Sequence, residues 1–324
     1  MHPKHKIILA PMMDLTDRHC RYFLRQLSKH MLLYTEMITS QALIYGDRER
    51  FLEYHTDEHP IALQLGGSDP QMLLKAAQWA EDAGYDEVNL NVGCPSDRVQ
   101  AGEFGLCLMK KPALVAECIA TMKAQLKIPV SVKTRIGFDD VDHYEALHAF
   151  VTQLQAAGVD QVSIHARKGW LQGLSPKENR TIPPLQYDTV YRLKQDFKQL
   201  PIALNGGVIS LDAAEAHLEH VDAVMLGRAA YYDAYLLHAV DQRFYGASQA
   251  PHTRESLIES LFPYWEIEMK KGVPLKSMTQ HLLGLYHGVP GARAWRRLVT
   301  DPKLAELAPL QAWLSLSERL ESVP

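Results

Sequence analysis

The 324-residue sequence is poor in the features that mark several common protein classes. It has four cysteines, Cys20, Cys94, Cys107 and Cys118, with no Cys-x-x-Cys pair. A chain this long with so few reads as free thiols in a reducing cytosol rather than a disulfide framework or zinc ribbon. No apolar run approaches the roughly 18 residues that a membrane span needs. Metal-ligand spacing is missing too: His55 and His59 run into Pro60, and His217 and His220 lie at a helix end without a third ligand, so solvated or capping roles suit them better. There is no P-loop, no Gly-x-Gly-x-x-Gly opening a helix after a strand, and no local Ser-His-Asp signature, which speaks against NTPases and Rossmann dehydrogenases. Excess positive charge is absent as well: 34 Lys and Arg face 38 Asp and Glu, a net charge of -4. That argues against an all-over basic coat and leaves room for a local basic patch.

What is present is an alternation. Eight short runs rich in Val, Ile and Leu read as buried strands: residues 7–12, 32–37, 61–65, 87–92, 130–135, 161–166, 202–204 and 223–226. Segments of helical period separate most of them, over 70–83, 112–126, 142–157, 187–197 and 210–220. Eight strands with intervening helices predict a (β/α)8 TIM barrel over residues 1–246, with an open doubly wound sheet as the alternative. The alternation stops after Gly246. Residues 247–324, past a turn at Ala250-Pro251, read as a small all-helical domain.

Barrel enzymes keep their chemistry at the C-terminal ends of the strands, and six strand ends here are polar: Gln64; Asn91 with Cys94; Lys133 with Arg135; His165 with Arg167; Asn205-Gly206-Gly207; and Gly227-Arg228. The period-two pleat puts Lys133 and Arg135 on one face, and Asn89 and Asn91 on one face. Any one of these is explained as a solvated strand end, but six together point to a site. The glycines after the seventh and eighth strands match the place where barrels cradle a phosphate. Cys94, between Gly93 and Pro95, sits on a loop at the barrel mouth beside two cations, the setting of a reactive thiol acting as nucleophile or proton donor. The other three cysteines lack that setting and are assigned to packing.

Basic residues gather in two places. Between Lys270 and Lys303 seven cations stand against the single acid Asp301, and Arg167, Lys168, Lys177 and Arg180 follow the sixth strand. Trp295, among Arg293, Arg296 and Arg297, fits a core anchor with its arginines in water. The two clusters together suit a phosphate backbone.

In order, Ala10-Pro11-Met12-Met13-Asp14, Gln64-Leu65-Gly66-Gly67, residues 89–95 around Cys94, residues 132–137 around Lys133, His165-Ala166-Arg167 and Asn205-Gly206-Gly207 resemble the motifs of the flavin-dependent tRNA-dihydrouridine synthases. Residues 173–180 and 288–297 resemble the bacterial subgroup acting on uridines 20 and 20a of the D-loop. The resemblance implies FMN on the barrel mouth, NADPH as reductant, and reduction of the C5=C6 bond of uracil in tRNA. It implies that Pro11, Met12, Met13, Gln64 and Lys133 meet the flavin ring system. His165, Asn205, Gly206, Gly207, Gly227 and Arg228 would hold its ribityl phosphate end. Cys94 matches the proton donor, Asn91 and Arg135 match residues facing the uracil, and Lys177, Arg180, Arg293 and Arg296 match groups that orient tRNA. Leu15, Thr134 and Gly169 depart from the family pattern. An FMN barrel acting on a free pyrimidine or enone, and a flavin-bearing tRNA folding aid without turnover, are the alternatives. No membrane and no obligate protein partner are implied.

Overall fold

A computed structural model describes residues 5–248 and 252–321; the expected Ala250-Pro251 turn lies outside them. Eight parallel strands follow one another around a barrel: β1 (Ile7–Leu9), β2 (Leu33–Thr39), β3 (Ile61–Gly66), β4 (Glu87–Asn91), β5 (Val130–Arg135), β6 (Gln161–His165), β7 (Ile202–Asn205) and β8 (Ala223–Leu226). β1 pairs with β8, and a parallel bridge between Ile8 and Leu32 closes the circle, with the Leu9 amide 2.8 Å from the Leu32 carbonyl. Closure leaves no free sheet edge, and the helices cover the outward-facing Val, Leu and Ile of each strand.

The strand boundaries differ from the sequence expectation where a side chain or a proline ends the ladder. β1 stops at Leu9 rather than Met12. Pro11 has no N–H to give the sheet, and the Met12 amide is taken by the Thr16 hydroxyl at 3.0 Å. β2 runs two residues beyond Met37, through an irregularity in its pairing between Tyr34 and Met37. The helix Pro70–Asp82 starts as its sequence indicates: Asp69 accepts the Met72 amide at 2.8 Å and Pro70 occupies the first turn.

Register shows which residues point inward. Gln64, Asn89 and Ser131 are directly paired neighbours, as are Arg135, His165 and Asn205 one to two layers up. The interior is therefore divided. The wall made by β3 to β6 is polar, carrying Gln64, Glu87, Asn89, Asn91, Ser131, Lys133, Ser163 and His165. The rest of the interior holds a mainly apolar cluster of Ile8, Ala10, Leu32, Tyr34, Ala62, Ala203, Ala223 and Met225, which meets the polar wall where Ala62 pairs with Glu87.

The C-terminal segment is helical, with helices Arg254–Lys270, Leu275–Thr279, Ala292–Val299 and Ala308–Glu321. It packs against the helix Arg18–Leu27, which follows β1. Tyr264 stacks on Tyr22 with ring centroids 3.8 Å apart, Arg18 meets the buried Glu268 at 2.6 Å, and His281 reaches the capping Asp17 at 3.0 Å. Trp295 is fully buried, donates to the Leu282 carbonyl at 2.7 Å and contacts Tyr286 and Trp313. It is the anchor of this segment's core. Among the described residues, no helix is long and apolar enough to cross a membrane.

Candidate active site

The strands deliver the expected polar residues to one end of the barrel. After Asn91 the chain leaves the sheet, and the Asn91 side chain organises the exit: its Oδ1 accepts the amides of Gly93 at 3.1 Å and Cys94 at 3.0 Å. On the other side of the thiol, the Cys94 carbonyl accepts the Leu106 amide at 2.9 Å. Gly105 has φ +66°, and a Cβ there would stand 2.6 Å from the Cys94 carbonyl oxygen. Only glycine permits that approach. Cys94 is thus held from both sides, half-buried, with Sγ 3.5 Å from the Ser96 hydroxyl. The segment that follows is packed in place by buried Val99, Phe104, Leu106 and Leu108.

Arg135 is tied into the surrounding backbone. It is buried, and its Nε donates to the Gly93 carbonyl at 2.9 Å while Nη1 donates to Lys168 and Asn179 carbonyls, both at 3.1 Å. The guanidinium ties the Cys94 loop to the loop after β6, and Nη2 takes no carbonyl of this clamp among the described residues. Asn91 is similarly engaged, giving one Nδ2 hydrogen to Gln64 at 2.9 Å.

The β6 to β8 side has the opposite character. His165 has a buried Nδ1 with no hydrogen-bond partner, and Ser163 Oγ and Arg167 Nε are also buried and unpartnered. Burial, with the cations Arg135, Lys133, Arg167 and Arg180 nearby, pushes His165 well below its usual pKa, so the ring is neutral. The Lys133 ammonium has no hydrogen bond or ion pair among the described residues; burial first, then Arg135, lowers it to about 8. Gly206 and Gly207 take φ +110° and +73°. A Cβ on Gly206 would come within 3.2 Å of the His165 ring, and one on Gly207 within 2.5 Å of Leu185. The Tyr187 hydroxyl holds the Gly206 carbonyl at 2.9 Å, and Asn205 donates to the Met225 carbonyl at 2.7 Å. Gly227 and the exposed Arg228 complete the rim, with Arg228 acting on Arg167 and Arg180 by charge repulsion. This cluster of cations and open backbone lacks a carboxylate partner among the described residues and is suited to an anion.

Pro11, Met12 and Met13 lie across the mouth, Met13 being exposed and Met12 and Pro11 half-buried. A cleft of about 1100 Å³ opens beside them, with Cys94, Phe104, Pro176 and Arg180 on one side and Asp17, Glu36 and Arg50 on the other. Gln64, Lys133 and His165 are not among the residues that line it. Lys177 and Arg180 are exposed on a short loop built around Asn179, which is fully buried and bonded to both backbone groups of Trp170 at 2.7 and 3.0 Å. Arg293 and Arg296 are exposed on the helix Ala292–Val299, away from the buried Trp295.

One contributor carries no sequence signal: Tyr187 belongs to no motif, and its role depends on a contact across 19 positions. Arg167, read both as a polar strand end with His165 and as part of the basic cluster after the sixth strand, stands on the glycine side of the mouth. His55 caps the turn Thr56–Glu58 and His59 pairs with Asp86 at 2.6 Å; among the described residues there is no group of three or more His, Cys, Asp or Glu that could hold a metal ion. Cys20 and Cys118 are buried, and Cys107 is half-buried.

Comparisons with known proteins agree with the geometry. The family description "Dihydrouridine synthase (Dus)" matches residues 8–314. A protein of Vibrio parahaemolyticus named tRNA-dihydrouridine(20/20a) synthase is 55% identical over 297 residues, 91% of each chain. Proteins of the same name from Synechocystis and Escherichia coli O6:H1 are 55% and 52% identical, covering 91% and 93% of this chain and 89% and 91% of theirs. Among solved structures, a 2-naphthoyl-CoA reductase complex superposes with TM-score 0.57 at 12% identity, over 73% of this chain and 50% of that one. An old yellow enzyme homologue from Zymomonas mobilis gives TM-score 0.52 at 16% identity, over 78% and 92%. These two carry the fold alone. The chain belongs to the dihydrouridine synthase family.

Proposed function

We propose that this protein reduces uridines 20 and 20a of the tRNA D-loop to 5,6-dihydrouridine, with FMN as cofactor and NADPH as reductant. The observation that carries the reading is the half-buried Cys94 thiol held at the rim of a barrel mouth whose opposite rim has unpartnered donors and a glycine cradle. The names of relatives more than half identical over nine-tenths of the chain support the substrate.

The residues fit FMN. Gly206, Gly207, Gly227 and Arg228 would take the phosphate, His165 with its free Nδ1 and Asn205 the ribityl end, and Lys133 and Gln64 the ring system over Pro11, Met12 and Met13. FMN bound there supplies the hydride that no side chain can deliver. The chain's own part is to place the base and move a proton. Hydride arriving at uracil C6 leaves negative charge on C5 and O4, and the thiol of Cys94 gives its proton to C5. The cationic field of Arg135 and Lys133 stabilises the charge while it lasts. A uridine within folded tRNA must first leave its stack. The loop bearing Lys177 and Arg180, and the helix bearing Arg293 and Arg296, would hold the backbone while it does so, making the helical segment the tRNA-binding part of the chain.

The test is to purify the protein, record its visible spectrum, reduce it anaerobically with NADPH and follow reoxidation on mixing with unmodified tRNA. Reoxidation by tRNA and not by free uridine is the expected result. A flavin spectrum with reoxidation by a free pyrimidine or enone instead would overturn the substrate assignment, and a flavin indifferent to every acceptor would leave a binding protein.

A further inference from the structure

We propose that Glu87, at the base of the barrel, is a positioning residue for the proton donor: a one-way run of hydrogen bonds ending on its carboxylate fixes the orientation of the Asn91 amide and thereby the Cys94 loop. The inference rests on the reading of Cys94 as proton donor.

The run can be followed bond by bond. Tyr34 and Ser131 both donate hydroxyl hydrogens to Glu87 Oε1, the former at 2.5 Å. Ser131 Oγ, having given its proton, accepts from Asn89 Nδ2 at 2.7 Å. Asn89 Oδ1 accepts from Gln64 Nε2 at 2.8 Å, and Gln64 Oε1 accepts from Asn91 Nδ2 at 2.9 Å. Asn91 Oδ1 is then the atom left facing the amides of Gly93 and Cys94. Every donor points down the barrel toward Glu87.

A primary amide can be turned over so that its oxygen and nitrogen exchange places, and the only thing that decides between the two orientations is the surrounding network. Here each amide depends on the next, and the series ends on a group that, when ionised, can only accept. The residues are all buried: Tyr34, Asn89 and Ser131 fully, Gln64 at 1% exposure, Glu87 and Asn91 at 8%. Water is therefore poorly placed to replace a bond that the run loses. If Glu87 becomes a donor, or is exchanged for an amide, Ser131 can turn its hydrogen toward Asn89, and the reversal can propagate to Asn91. That would set Nδ2 against the two backbone amides and repel the Cys94 loop. Polar chains in low dielectric reinforce one another in this way.

The groups facing Glu87 are Tyr34 from β2 and Ser131 from β5, with Asp86 and Asp160 acting on it at longer range, and burial raises its carboxyl to about 6. The sequence displayed Asn89 and Asn91 on one face but gave no sign that the row continues to Ser131 and Glu87, because that depends on the register between β4 and β5.

The experiment uses full-length flavoprotein, reduced anaerobically, with single-turnover reoxidation by unmodified tRNA as the readout. Glu87→Gln is expected to slow that step by about 10- to 100-fold, the scale of a misplaced reacting group, with tRNA affinity unchanged and the flavin retained through the phosphate cradle. The wild-type rate should fall as the pH drops through about 6, and that limb should be missing in Glu87→Gln. Tyr34→Phe removes an equally buried hydrogen bond to the same carboxylate, and its hydroxyl also lies 3.4 Å from Ser131 Oγ; it leaves the carboxylate as the acceptor that ends the run, so it should change the rate less than about threefold while lowering the melting temperature at least as much. Equal rate losses in Glu87→Gln and Tyr34→Phe would reduce Glu87 to a structural role and overturn the inference. Loss of turnover in Cys94→Ala alongside wild-type kinetics and pH profile in Glu87→Gln would also overturn it. Full turnover in Cys94→Ala would instead defeat the reading on which it rests.

Discussion

The two sides of the barrel mouth are built to opposite rules. From β3 to β5, buried amides and hydroxyls satisfy one another: Gln64, Asn89, Asn91 and Ser131 each have short partners within the wall. From β6 to β8, Ser163, His165 and Arg167 carry buried polar atoms with no partner, beside glycines at positive φ. A folded protein keeps few buried polar groups unpaired, so such a group signals an absent ligand or a store of strain. The satisfied side fixes orientations before any substrate arrives, and the unsatisfied side holds its donors ready for a group still to come. Orientation of the thiol and binding of the cofactor should therefore fail separately.

The sharpest break would come from Cys94→Ala. It lies on the satisfied side and touches none of the cradle residues. The variant should keep bound flavin and its reduction by NADPH while tRNA-driven reoxidation falls by about 10²–10⁴-fold, the usual contribution of a positioned proton donor. Stopped-flow traces with and without tRNA check both halves, and unchanged reoxidation would remove the thiol from the mechanism.

The reverse break is Gly207→Ala. The new Cβ would meet Leu185 at 2.5 Å and the Tyr187 hydroxyl at 2.7 Å at φ +73°, a combination expected to cost about 1–3 kcal/mol. Flavin content after purification should drop while the Cys94 loop stays intact. Gly173→Ala, at φ +82° with nothing within 4 Å, is the control: it bears only the backbone strain and should retain its flavin.

A smaller and subtler effect is expected at Lys133. The ammonium is lowered to about 8 in the fold against about 10.4 in an unfolded chain. The unfolded state thus binds more protons between those values, and this group's contribution makes stability rise as pH climbs from about 8 to about 10.4. Below about 8 the buried charge is a full liability in the flavin-free protein. Flavin-free Lys133→Met should melt at a higher temperature than wild type at pH 7 and lose that advantage above pH 10, while holding flavin more weakly. A lower melting temperature at pH 7 would mean that the ammonium has a stabilising partner.

How much of this could be read beforehand follows from the range of each interaction. Strand positions were legible because period and hydrophobicity are local, and the ends failed where one residue decided the matter, as Pro11 does for β1. The polar strand ends were legible because a barrel gathers them whatever their register. The division of the interior into a satisfied and an unsatisfied side was not, since Glu87, Ser131 and Ser163 acquire meaning only when β4, β5 and β6 are paired. Arg135 shows the same limit. The pleat placed it at the mouth, but its engagement with three carbonyls depends on how the loop around Asn179 folds back.

The mildest test concerns the helical segment, where the comparison extends from the mouth to the surface. Arg293 and Arg296 lie one turn apart on the exposed face of the helix Ala292–Val299, with no ion-pair partner among the described residues. The buried face is held by Trp295 and Val299. Truncating either arginine therefore removes charge without removing core. If each contacts a backbone phosphate, Arg293→Ala and Arg296→Ala should each weaken tRNA binding and reduce the slope of log affinity against log salt by about 0.7–0.9, the release associated with one phosphate contact. Flavin content and the rate at saturating tRNA should not move, because the arginines act on the encounter and not on the mouth. Trp295→Ala gives the contrast, since it takes away the anchor bonded to Leu282 at 2.7 Å. Its loss of binding should be independent of salt and accompanied by a lower melting temperature, and a salt-independent loss in the arginine variants would assign them to the fold of this segment and take them away from the RNA.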